Sequence, residues 1–126
     1  MRLGYDTDLL AAVCEKLARA LMQDQRRDVK RRHGLASVTS LHAGVMVAVQ
    51  RFRSDLGLYV HLHCLVADGV FEDLAEAVRF LPADPPTPAR MTAVLAQVHA
   101  AVLAAHADDD LDMDPTLRAC VREPEA

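Results

Sequence analysis

LYVHLHCLVADGVF, residues 58–71, sets two histidines two positions apart in an otherwise apolar run. Successive side chains of a strand point to opposite faces, so Tyr59, His61, His63 and Leu65 share one side and Val60, Leu62, Cys64 and Val66 the other. The second set reads as core. Imidazole is costly to bury without a partner. With backbones about 6–7 Å apart, the two rings can converge on one ion at roughly 2.0–2.1 Å from each nitrogen. Two neutral ligands leave most of a divalent ion's charge and coordination positions open, which suits polarising a phosphate oxygen better than a closed structural site. A bare His-x-His also arises by chance, and a hydrogen-bonded or exposed pair is the plain alternative.

Before this stretch, VMVAVQRF (45–52) is apolar on both faces and β-branched at alternate positions, which predicts a buried strand. RSDLG (53–57) supplies the turn between the two. After the histidines, ADG (67–69) predicts a second turn and VFED (70–73) a short return strand. DLAEAVRFLP (73–82) either holds a helical turn or prolongs that strand irregularly. Strands joined in sequence by tight turns predict an antiparallel meander.

Helices flank the meander. Leu9, Leu10, Val13, Leu17 and Leu21 recur at helical spacing and predict a helix over 7–33, capped by Asp6 or Thr7 and ended by Gly34. Its second half is nearly all polar and is expected to project from the core. LASVTSLHAG (35–44) reads as a connector. PADPPTPAR (82–90) is a proline-rich break whose Thr87-Pro88 predicts an N-cap with proline at the first helical position. Helix 88–106 follows, with Met91, Val94, Leu95, Val98, Val102 and Leu103 along one face, and ADDDLDMD (107–114) ends it. The organisation is a single α+β domain, an antiparallel sheet with flanking helices. It divides into an N-terminal helix (1–34), a meander carrying the histidines (35–83), a C-terminal helix (84–110) and a flexible tail (111–126).

Composition narrows the classes. The 126 residues suffice for one modest core. No apolar run approaches the roughly 18 residues that span a bilayer, and acids stand where a signal peptide would have its apolar centre, so a cytoplasmic protein without membrane contact is expected. Cys14, Cys64 and Cys120 form no Cys-x-x-Cys pair and read as reduced structural thiols. Residues 1–63 hold ten Lys and Arg against six Asp and Glu, and residues 64–126 hold four against twelve. Arg26, Arg27, Lys30, Arg31 and Arg32, with Arg51 and Arg53 close to the histidine pair, could neutralise phosphates. Cations at a helix C-terminus are equally a response to the macrodipole.

The segment GVMVAVQRFRSDLGLYVHLHCLVADGVF (44–71) resembles the catalytic core of rolling-circle transposases of the two-tyrosine HUH endonuclease class. The matching residues are Gln50-Arg51-Phe52, Leu56-Gly57-Leu58, His61-Leu62-His63 and Asp68-Gly69-Val70-Phe71. The later stretch LPADPPTPARMTAVLAQVHAAVLAA looks like the family's proline-rich linker and following helix. The resemblance implies a partial HUH, ferredoxin-like core. It also implies that His61 and His63 hold Mg²⁺ or Mn²⁺ against a scissile phosphate of single-stranded DNA, which a tyrosine attacks to leave a 5′-phosphotyrosine and a free 3′-hydroxyl. A third polar ligand completes such sites, and Gln50 and Asp68 are the candidates. Each has a plain alternative, a cross-sheet hydrogen bond for Gln50 and a turn signal for Asp68-Gly69.

The departures are specific. The family's nucleophilic tyrosines follow the histidines, whereas the tyrosines here are Tyr5 and Tyr59 and none follows His63. Tyr59 stands where the family commonly has asparagine, which favours packing over nucleophilic attack. A cysteine-rich zinc module is also absent. The expectation is a transposase fragment with a metal cradle and no nucleophile, inactive alone, that binds single-stranded DNA. The alternatives are a non-catalytic module that binds metal or a partner, including a second copy through an exposed sheet edge, and an unrelated metal-binding protein.

Overall fold

The computed structural model describes residues 7–52 and 58–105. The described elements run α1 (Thr7–His33), β1 (Leu41–Phe52), β2 (Leu58–Leu74), β3 (Ala77–Pro82) and α2 (Pro88–Ala105). The strands form one antiparallel sheet in the order β1-β2-β3. Both helices lie against one face of it, so the molecule is an α+β domain of two layers.

The helix boundaries follow from local chemistry. Gly34 adopts φ 65°, and the Leu35 amide reaches back to the Lys30 carbonyl at 2.9 Å, which closes α1 with a left-handed cap. At the other helix, Thr87 Oγ1 accepts the Arg90 amide at 3.2 Å while Pro88 takes the first helical position, as the Thr-Pro pair predicts. The stripe Leu9, Leu10, Val13, Leu17 and Leu21 packs with Val94, Val98 and Val102 of α2 and Val60 of β2. Truncating one of these leucines to alanine costs about 2–5 kcal/mol at a buried site.

The polar half of α1 does not project. Gln25, Asp28 and Val29 continue the stripe one turn at a time and are buried. Val29, fully enclosed, joins Leu41, Val70 and Leu81 in a second cluster. The polar members are tolerated because each has a partner. Gln25 Nε2 donates to the Ala67 carbonyl. Asp28 accepts the Asp84 amide at 2.9 Å and Arg31 at 2.7 Å.

Three strand expectations change. β1 starts at Leu41, within the expected connector, and is only half-buried, with Met46 64% exposed on the open face. Asp68-Gly69 makes no turn: β2 runs through it and includes VFED. Ala43 and Val45 pair with Val70 and Val66, so residues 67–69 stand opposite Gly44 alone and the Asp-Gly signal is a bulge. The reversal comes at Ala75-Glu76, and the return strand is β3, with no helical turn. Gly69 is required there because a Cβ would collide with the Leu81 carbonyl and fall 2.8 Å from Phe80 and Pro82. The expected turn 53–57 and tail 111–126 lie outside the described residues.

Candidate metal and nucleic-acid site

Antiparallel register decides which side chains meet. Gln50 pairs with His61 and Ala48 with His63, so these side chains share one face. The other face carries Leu41, Ala43, Val45, Val60, Leu62 and Val70 against the helices. The histidine pair therefore lies on the open face of the sheet. His61 is half-buried and His63 exposed.

Gln50 stands between the two rings. Its Oε1 lies 3.0 Å from His61 Nε2 and 3.2 Å from His63 Nε2. The imidazoles meet edge to face with centroids 4.9 Å apart. One oxygen accepting from two ring nitrogens fixes both Nε2 atoms toward one point. A group of two imidazole nitrogens and an amide oxygen converging in this way fits a divalent ion such as Mn²⁺ or Mg²⁺ with open coordination positions. Binding would require each Nε2–H proton to leave or move to Nδ1, because only an unprotonated nitrogen ligates.

The other sequence candidates separate. Asp68 sits at the bulge and lines a cleft between α1, β2 and the start of α2, on the helix side of the sheet. Among the described residues, no group of three or more His, Cys, Asp and Glu gathers around a metal position. Among the described residues, Gln50, an amide, is a side chain that the fold brings to both histidines. Tyr59 lies in β2.

Arg51 is exposed and follows Gln50 on β1, while Arg53 lies outside the described residues. The basic cluster belongs to α1, on the far side of the sheet from the histidines. Two of its members are engaged within the chain: Arg31 with Asp28 at 2.7 Å and Arg32 with Asp84 at 2.8 Å. Arg26 and Arg27 line a shallow recess with Val38 and Thr39. Lys30 is exposed in the last turn of α1.

The sequence reading missed Asp28 and Asp24. Arg90 bridges them from α2, at 2.6 Å to Asp24 Oδ2 and 3.4 Å to Asp28 Oδ1. The Asp24 hydrogen bond raises the Arg90 guanidinium further, against the opposing effect of burial. The continuing 17-21-25-28 spacing was the available signal. Cys64 lines the same cleft. Burial first, and nearby Cys14 second, push its thiol up, so it stays protonated at neutral pH and is a poor nucleophile.

Residues 44–123 match the family model described as "Putative transposase". The chain belongs to this transposase family. No curated protein and no solved structure matches the chain. The family match begins at the Gly44 bulge position and takes in Gln50, His61 and His63. Among the described residues, no helix of this transposase chain is long and apolar enough to cross a membrane.

Proposed function

We propose that this transposase chain binds single-stranded DNA across the open face of its sheet, with His61, His63 and Gln50 holding a divalent ion, Mg²⁺ or Mn²⁺, against a phosphate. The observation that carries this reading is the convergence of both Nε2 atoms on one oxygen position. Held there, such an ion would polarise the phosphate and so favour nicking and strand transfer of the rolling-circle, two-tyrosine HUH kind. The chain's own residues do the positioning. β1 and β2 fix the two rings and the amide on a rigid sheet.

Within the 126 residues no tyrosine follows His63, and Tyr59 lies within the histidine strand itself. We read these residues by themselves as a binding module that does not nick. Fluorescence anisotropy with a labelled single-stranded oligonucleotide, with and without Mn²⁺, tests this beside a cleavage assay. Metal-enhanced binding without cleavage, lost in His61→Ala/His63→Ala, supports the reading. Equal binding with the double variant contradicts it.

A second reading is a non-catalytic module whose open face meets a second copy. It is favoured by Met46, Leu65 and Val78, which are 64%, 70% and 67% exposed. A dimer in light scattering, with no DNA binding, would select it.

A further inference from the structure

The buried members of both core clusters are Leu, Val and Ala, with no aromatic among them. Phe71 and Phe80 stand instead on the open face of the sheet. They pair across β2 and β3, and their sequence neighbours Val70 and Leu81 take the buried face. Phe71 is 47% exposed and Phe80 46%. Aromatic residues make up only 4% of the chain. Setting two of them side by side in water, while the core does without, is a surface with a use.

The two rings lie with centroids 5.3 Å apart and planes at 59°, which makes a corner rather than a stack. A Cβ on Gly69 would fall 2.8 Å from Phe80 Cζ, so this ring leans along the sheet over a position that has no side chain. Gly44 and Gly69 leave the surface clear between the corner and the Met46–Leu65 pair, beyond which come Ala48 and His63. Register puts His42 opposite Phe71, so the corner and the histidine pair are joined by the stretch of β1 from His42 to Ala48. That stretch is about 20 Å long at the rise of a strand. It matches about six nucleotides at the stacked spacing of roughly 3.4 Å, and fewer in a stretched strand.

We infer that Phe71 and Phe80 form a stacking corner for bases of the same DNA strand whose phosphate sits at the histidine pair. The inference rests on the function proposed above and adds the bases to what the open face recognises. Ring faces attract bases of any sequence, and an aromatic corner fits a planar base laid on one ring with its edge toward the other. The charges nearby favour a base over a phosphate. Arg79 of β3 alternates to the other face, where it pairs with Glu72 at 2.7 Å, and the exposed Asp73 shares the open face with Val78. Both phenylalanines fall within the transposase match over residues 44–123, which makes DNA the partner of fitting chemistry.

Fluorescence anisotropy with the full chain and Mn²⁺ tests this, comparing a labelled single-stranded oligonucleotide with an abasic one of the same length. Phe71→Leu/Phe80→Leu keeps apolar bulk and removes the ring faces. It should lower affinity for the base-bearing strand at least about fivefold, and leave abasic binding and calorimetric Mn²⁺ titration unchanged. Phe71→Tyr/Phe80→Tyr, which keeps the rings, should bind like the wild type. Equal affinity of the leucine variant and the wild type for the base-bearing strand overturns the corner and leaves the metal site standing. The expected loss in the leucine variant, beside undiminished binding by His61→Ala/His63→Ala, supports the corner and removes the metal from the account. A wild-type dimer that the leucine variant dissociates, with base-bearing and abasic strands bound alike, also overturns it, because a second copy then covers the face.

Discussion

Gln50 and Asp68 are equivalent candidates on sequence, each a polar residue near the histidines, and register alone separates them. Gln50 pairs with His61 and touches both rings, while Asp68 sits beyond the histidines on the helix side of the sheet. Gln50→Ala should therefore weaken Mn²⁺ binding by about tenfold, the scale on which a supporting ligand or orienting partner acts. Asp68→Ala should leave it unchanged, and calorimetric titration of the two variants reads the difference. Asp28 makes a separate case. It is 2% exposed and holds the Asp84 amide, Arg31 and Arg90 in one carboxylate. Asp28→Ala strands the Asp84 amide and loosens the linker between sheet and α2, at a cost of about 2–3 kcal/mol, visible in urea unfolding. The sequence carried the apolar stripe of α1 legibly as far as Leu21. It concealed the continuation because Gln25 and Asp28 are polar, and only their partners in β2 and the linker explain their burial.

The same limit appears at the scale of elements. Alternation identified the histidine strand and its facing set, and the Thr-Pro and Gly34 signals located helix ends. Asp68-Gly69 misled because a bulge and a turn ask for the same residues, and the choice between them is made by what pairs on each side. Here β1 and β3 both grip β2 immediately beyond the bulge. Gly69→Ala should push β3 from β2 and cost about 1–3 kcal/mol. Gly44→Ala, whose Cβ would meet only Ala67 at 4.0 Å, should change stability by less than about 0.5 kcal/mol. Thermal unfolding of the two variants side by side checks the contrast.

At the scale of the molecule, one face of the sheet is covered by α1 and α2 and the other is open, bearing the histidine pair and Arg51's neighbour Gln50. Charge counted along the sequence pointed to α1 as a phosphate surface, but the fold turns that cluster away from the histidines and pairs Arg31 and Arg32 internally. Arg51 follows Gln50 and so alternates to the other face of β1, and Arg51→Ala should shift affinity for a single-stranded oligonucleotide by less than about twofold. Arg26→Ala/Arg27→Ala should shift that affinity less than about twofold, because those residues lie on the other side of the sheet.

The central claim is that His61, Gln50 and His63 form a cradle for a divalent ion. Mn²⁺ titration by calorimetry, on the wild type and on His61→Ala/His63→Ala, tests it most directly. Saturable binding of one ion per chain by the wild type, abolished in the double variant while its thermal unfolding stays cooperative, is the predicted result. Equal binding by both proteins, or binding by neither, would contradict the cradle and reduce the three side chains to a hydrogen-bonded cluster on an exposed sheet.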